Sequence, residues 1–504
     1  MANTYILVVF GILCAKAGGF LRDAIFASHF GTGIEADIYL QIFGIASLIF
    51  TAVGSALSTL IIKNINKSKY SQGDGQKRYG AYFIRHICVL VILVTVLLYI
   101  FAKQIVGALL PGLEGEDARL ALKIMYIMLP SFLFISVAYM MSGLLQNRRV
   151  FFTPSVMSLP YNVIVICTLL FGMRDIELIS IITTVGWFLH IVILLPDFYR
   201  KGYSFFSPSE GIEKKGELAS VLETVFIFVS GLMFQLCFMT DKTFASFDGG
   251  MVSTLGYASN LFITFSGIFV VAMSSVVFPA ISQNYEYGAM DYVRELVRYM
   301  IKLMVSIFSF YLIAVIFFGD FAISVIYEHG EFTHADTVRV AHAFVIYSFA
   351  IFGYLAQNVL NKLFYLAGKY NFTVIGAIVV VALNAMADFV LVPHLGVYSA
   401  AISTTVLLSL YALFIMVKLK GVIGKYFTSE LMMSLGKIAI SSAVTVVITG
   451  CTMVLLPQSF TTGNSFIRVV PFILAVVVYA VCMLSLGVLK DLFTTPLSKR
   501  GKSK

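Results

Sequence analysis

The chain has 504 residues, of which 59% are Ala, Val, Ile, Leu, Met, Phe, Trp, Tyr or Cys and only 12% are Asp, Glu, Lys or Arg. Soluble domains carry about 25% charged residues, so a water-soluble globular fold, a disordered chain and a coiled coil are all excluded. The net charge of +9 could point to nucleic acid, but the basic residues are spaced for membrane orientation and no nucleic-acid partner is expected.

A spanning helix needs about 20 apolar residues. In chain order, apolar segments lie near 5–29, 37–62, 80–102, 120–145, 152–172, 178–198, 218–240, 252–282, 296–318, 337–366, 371–393, 397–417, 434–456 and 466–489. They are divided by short polar or Gly/Pro-marked turns. The expected fold class is an all-α polytopic membrane protein of fourteen transmembrane helices. The first segment lacks a basic leader and carries Lys16, Arg22 and Asp23, so it reads as a retained helix rather than a signal peptide. The six cysteines form no CxxC pair and read as core residues.

Lys and Arg are distributed 23 against 6 between alternate loops, which places both termini on the cytoplasmic side. The expected location is the bacterial cytoplasmic membrane. The longest polar stretches, near 63–79 and 200–217, are too short to fold alone. Function must therefore reside among the spans.

The chain also repeats itself. Asp23, Phe26, Ala27, Ser28 and Gly31 follow the first segment, and Asp241, Phe244, Ala245, Ser246 and Gly249 follow the seventh, both reading DxxFASxxG at an offset of 218. Phe152 and Thr153 match Phe372 and Thr373 at an offset of 220. Six spans separate equivalent positions, so the halves share one orientation, as in transporters with parallel repeats. The expected organisation is a six-helix lobe over 1–200, a second over 201–425, and two extra helices with a basic tail over 426–504.

Ionisable groups at membrane depth cost at least ~2.5–3.5 kcal/mol each on insertion scales, so they face a cavity or a partner. Lys16 and Arg22 are six residues apart on one helix, about 9 Å of rise and roughly 120° of rotation. They could line a wide cavity for an anion, because Arg matches phosphate oxygens in pairs. An internal ion pair of Arg22 with Asp23 or Asp37 explains the same residues without a ligand. Asn384 and Asp388 are four apart and share a helical face. With Asp241 and Thr404 they offer oxygen ligands for a hard cation, or else a structural polar network. Glu223, Gln235, Gln357, Asn358 and Asn361 read as packing hydrogen bonds, and His190 beside Trp187 as a packing residue. No Walker loop, GxSxG or HExxH occurs, so a transporter is expected and not an enzyme.

Four stretches carry a resemblance: GGFLRDAIFASHFGTGIEAD (18–37), QLCFMTDKTFASFDGGMVSTLGYASNL (235–261), VIYEHGEFTHADT (325–337) and NAMADFVLVPHLGVYSAAISTT (384–405). Together they make the chain resemble the MurJ/MviN family of lipid II flippases, within the multidrug, oligosaccharidyl-lipid and polysaccharide exporter superfamily. The resemblance implies a V-shaped, two-lobed bundle whose cationic cavity holds the head group of a polyprenyl-diphosphate-linked saccharide, with a groove by segments 13 and 14 for its tail. The implied substrate-binding residues are Lys16, Arg22, Asp23, Asp37, Ser55 and Asn260. It also implies a bound sodium coupling ion at Asp241, Asn384, Asp388 and Thr404. Membrane lipids and cell-wall synthesis proteins are the implied partners. Of four arginine positions in the family's cavity only Arg22 is kept; the others are Lys16, Phe50 and Asn260, and a family acid stands as Ser55. The departures leave three alternatives open: a carrier of another polyprenyl-linked saccharide, a multidrug antiporter, and a membrane scaffold without transport.

Overall fold

The computed structural model describes residues 2–46, 48, 74–206, 217–455 and 469–493. Everything regular among them is helical. In chain order the helices are α1 (Ala2–Phe30), α2 (34–46), α3 (Asp74–Ile100), α4 (Ala102–Leu109), α5 (Gly115–Met128), α6 (Ser131–Asn147), α7 (Phe152–Val156), α8 (Leu159–Leu170), α9 (Ile176–Arg200) and α10 (Glu217–Ala245). There follow α11 (Met251–Glu286), α12 (Met290–Tyr327), α13 (His334–Ser348), α14 (Ile351–Leu355), α15 (Asn361–Leu366), α16 (Tyr370–Leu395), α17 (Tyr398–Ile423), α18 (Ser429–Leu455), α19 (Val469–Ser485) and α20 (Val488–Phe493).

Among the described residues, nine helices are long and apolar enough to cross a membrane, or ten if the bent pair α13 and α14–α15 forms one span. The nine do not include α1 or α10, each a 29-residue helix with ionisable side chains. Most of the expected second span, 37–62, lies outside the described residues.

Burial sorts the spans by position. Only 11% of the most apolar stretch of α3 is covered by protein, and Val89, Leu90, Leu93 and Leu97 stand exposed on it. Apolar side chains in this number stay exposed only where hydrocarbon replaces water. The corresponding share of α17 is 56%, with Leu408, Ala412, Ile415 and Leu419 fully buried, so α17 is a central helix of its unit.

The chain forms two compact units: Met1–Ser253 with His329–Thr333, and Thr254–Glu328 with His334–Lys504. In the first, α10 is held by Gln41 of α2, whose amide donates to the Met239 carbonyl at 3.3 Å and the Thr243 hydroxyl at 3.1 Å. The counterpart of α1 in the sequence repeat thus bonds α2 within the first unit. In the second unit, Ile313, Ile438, Tyr479 and Met483 form a core joining α12, α18 and α19.

The turn His329–Thr333 is locked to the end of α1 by two glycines. The Glu331 amide donates to the Ser28 carbonyl at 2.9 Å, and Arg174 bonds the Glu331 carboxylate at 2.8 Å. Gly31 (φ +54°) and Gly330 (φ +61°) both occupy the left-handed region that favours glycine. A Cβ on Gly330 would stand 2.2 Å from the Ser28 oxygen, and one on Gly31 would stand 2.7 Å from the Glu331 oxygen. Gly330→Ala should cost about 1–3 kcal/mol through overpacking and backbone strain, seen as a lowered midpoint of thermal unfolding in detergent. An unchanged midpoint would show that the turn does not pack as described.

Candidate functional site

Two polar clusters, one in each unit, contain half of the candidate residues: Arg22 and Asp23 in the first, Asn384, Asp388 and Thr404 in the second. The first is built on α1. Gly11 brings this helix against α7, since a Cβ there would meet the Ser155 hydroxyl at 2.6 Å. On α9, Gly186 leaves room for Tyr161 of α8, whose ring a Cβ would meet at 2.4 Å. Tyr161 accordingly lies flat on Trp187, with centroids 5.0 Å apart and planes 18° apart.

Arg22 rests on this aromatic surface. Its guanidinium lies 4.9 Å from the centre of the Tyr161 ring and 5.2 Å from that of Phe43, placements that stabilise a cation through the ring quadrupoles. Nε and Nη2 both donate to Asp23 Oδ1, at 3.0 and 2.5 Å, and Nη1 donates to Asn162 Oδ1 at 3.2 Å. The Asn162 amide is oriented in turn by the Ala15 carbonyl at 3.3 Å. The Arg22 side chain is only 12% exposed, and three of its five N–H donors are matched among the described residues. Rings continue outward from the site: Tyr39 stacks on Phe26 at 4.7 Å and bonds the Thr183 hydroxyl at 2.8 Å. His190 is buried against Trp187 at 5.0 Å and bonds the Gly186 carbonyl, as a packing residue would.

The other first-unit candidates are placed differently. Lys16 is exposed, about two turns before Arg22. Asp37 is buried but does not meet Arg22: its oxygens accept from the Gly250 amide at 2.7 Å and the Ser253 amide at 2.6 Å. It thus caps the N-terminus of α11, where unsatisfied amides and the helix dipole favour a carboxylate. Asp241 is buried near the end of α10. Asn260 is half-buried on α11 and belongs to the second unit, and Ser55 lies outside the described residues.

The second cluster joins α16 to α17. The Asn384 amide donates to Asp388 Oδ2 at 3.1 Å, the Thr404 hydroxyl donates to Asn384 Oδ1 at 2.7 Å, and the Ser403 hydroxyl donates to Asp388 Oδ1. Asn384, Asp388 and Thr404 are fully buried and Ser403 nearly so. Among the described residues, no three His, Cys, Asp or Glu side chains converge on a metal-sized site. The chemistry here is that of amide, carboxylate and hydroxyl oxygens. Ser403, Asn162, Tyr161 and Phe43 are members that the sequence did not reveal. In the same unit α12 and α19 line an apolar cavity of about 330 Å³ with Phe318, Phe321, Val325 and Phe472.

The family model described as "Lipid II flippase MurJ" matches residues 26–475. A probable lipid II flippase MurJ from Buchnera aphidicola is 25% identical over 71% of this chain and 71% of its own length. A solved lipid II flippase MurJ in an inward closed conformation matches with TM-score 0.80 at 20% identity, covering 97% of this chain and 100% of that one. An inward-facing multidrug resistance MATE family transporter of the MOP superfamily matches with TM-score 0.64 at 13% identity, over 82% of this chain and 95% of the other. The chain belongs to the lipid II flippase MurJ family, whose members are transporters and not enzymes.

Removing one donor from a buried carboxylate or amide leaves its partner unsatisfied, at about 1–3 kcal/mol. Ser403→Ala and Thr404→Val should each lower the thermal midpoint accordingly. No change in either variant would mean that these hydroxyls do not satisfy Asp388 and Asn384.

Proposed function

We propose that this chain, as a member of that family, moves lipid II from the cytoplasmic to the outer leaflet of a bacterial cytoplasmic membrane by alternating access. Both termini lie on the cytoplasmic side in this reading. The observation that carries it is the Arg22 site: a largely buried guanidinium positioned by two rings, an amide and one carboxylate, with two of its N–H donors unmatched among the described residues. A diphosphate arriving there competes with Asp23 for the N–H groups and gains charge-assisted bonds in a low-dielectric setting. Lys16, exposed on the same helix, supplies a second positive charge along the approach. Because Arg22 is held in one orientation before cargo arrives, little side-chain entropy is lost on binding. The apolar cavity between α12 and α19 suits a polyprenyl segment, which gains by burying CH2 groups against aromatic walls. No bond is made or broken.

The donor chemistry of the α16–α17 cluster also fits a hard monovalent cation such as sodium. Asn384, Asp388, Ser403 and Thr404 would hold it through oxygen, and a bound ion would supply positive charge beside Asp388. Asp241 belongs to the first unit, so the proposal for the ion rests on the second-unit oxygens. A cation coupled in this way biases transport only through its different affinity for two states.

Two measurements test this reading. In a bacterium depleted of its own lipid II flippase, the parent chain should restore growth and outer-face lipid II. Arg22→Ala should lose about tenfold or more of that activity, the equivalent of one or two charge-assisted hydrogen bonds. Undiminished rescue by Arg22→Ala would reject the diphosphate site. For the ion, NaCl should raise the thermal midpoint above that in equimolar KCl, by linkage to the folded state, and Asp388→Asn should abolish the difference. Equal midpoints in the two salts would remove sodium from the account.

A further inference from the structure

The fourth span of each repeat is interrupted at the same place. The first is broken at residues 129–130, between α5 and α6, and the second at 349–350, between α13 and α14. Each break has a threonine clamp from the sixth span of its own repeat. The Thr184 hydroxyl of α9 lies 3.0 Å from both the Ile127 carbonyl and the Ser180 carbonyl of its own helix, and Thr405 of α17 donates to the Ile346 carbonyl at 3.0 Å. The threonines are 221 positions apart and the carbonyls 219, bracketing the offset of the sequence repeat. The device is therefore part of the repeated design.

The two breaks nevertheless differ in kind. In the first, residue 130 is proline, which has no N–H to return to the Tyr126 carbonyl. The Tyr99 hydroxyl takes that acceptor at 2.8 Å. The interruption is covalent and permanent, and α5 and α6 still run on as one 33-residue span. In the second, the corresponding residue is Ala350, whose N–H is intact and bonds the Tyr347 carbonyl at 2.9 Å, one residue short of the α-helical register. Without any proline this span bends by 54°.

Contacts from α17 account for the bend. Thr405 occupies the Ile346 oxygen that the Ala350 N–H would take in a straight helix. One turn on, Gly353 meets the α17 backbone so closely that a Cβ would lie 2.5 Å from the Leu408 oxygen. About two turns farther along, Asn361 and the Tyr411 hydroxyl bond each other at 2.8 and 3.1 Å. Between these last contacts the chain forms a π-helical turn, Ala356–Leu360, a local register change of the kind frequent at functional sites.

We propose that the α13–α14 break is a two-state hinge held bent by Thr405, while its counterpart at Pro130 is a fixed break. In the straight state the Ala350 N–H replaces the Thr405 hydroxyl on Ile346, so that carbonyl keeps a donor in either state. That equivalence permits movement within hydrocarbon, where an unsatisfied carbonyl would be prohibitive. The inference is independent of which cargo is carried.

Spin labels at Val338 and Leu366 read the bend directly. At 1.5 Å of rise per residue, a straight helix separates these backbone positions by ~42 Å and a 54° bend by ~38 Å. Thr405→Val in the full-length protein should shift the distance distribution toward the longer value by ~4 Å; Thr405→Ser, which keeps the hydroxyl, should reproduce the parent. Gly353→Ala, which forces α14 away from Leu408, should shift it in the same direction and serves if Thr405→Val fails to fold. The equivalent first-repeat pair, Arg119 and Asn147, should be unmoved by Thr184→Val. A parental distribution in both Thr405→Val and Gly353→Ala would overturn the hinge. An equal shift in Thr184→Val would overturn the distinction between the two breaks.

Discussion

Hydrocarbon offers no hydrogen bonds, and the structure depends on that fact at every polar position. Several buried charges and freed carbonyls have a partner at a named atom. Asp37 takes the amides at the start of α11, Arg22 is divided among Asp23, Asn162 and two rings, and Asp388 accepts from Ser403 and Asn384. Where a helix breaks, a threonine or tyrosine hydroxyl replaces the missing N–H. A water-soluble protein could leave several of these groups to solvent.

The same constraint shapes the proposed Arg22 site. A guanidinium inserted into a membrane has to be stabilised before cargo arrives, and rings do this without consuming its N–H donors. Asp23 balances charge but engages a single carboxylate oxygen, so an anion with more acceptors can compete for the remaining donors. With one arginine at the site, orientation matters more than the number of charges. Asn162, Phe43 and Tyr161 together supply it.

Much of this was legible in the residues. The i, i+4 spacing of Asn384 and Asp388 placed them on one face, and the DxxFASxxG echo announced a repeat that the two clamps bear out at nearly the same offset. The ion pair of Arg22 with Asp23, one of two weighed, is observed, while Asp37 serves a different helix. Other features depend on contacts between distant segments. Asn162 lies 140 positions from Arg22, and no local pattern connects them. The α13–α14 bend has no proline to mark it, because neighbouring α17 imposes it. The close glycine at 353 is ordinary in sequence and acquires meaning only against Leu408. Gln41 of α2 likewise bonds the Met239 carbonyl of α10 across 198 positions, a contact that no local pattern announces.

The most direct test of the central claim is flipping by the purified chain in liposomes carrying lipid II, followed by the rate at which inner-leaflet head groups become accessible outside. The account predicts rates well above protein-free vesicles, and little acceleration for a polyprenyl lipid lacking the diphosphate. Accessibility no faster than in protein-free vesicles, with the protein shown to be folded and inserted, would contradict it.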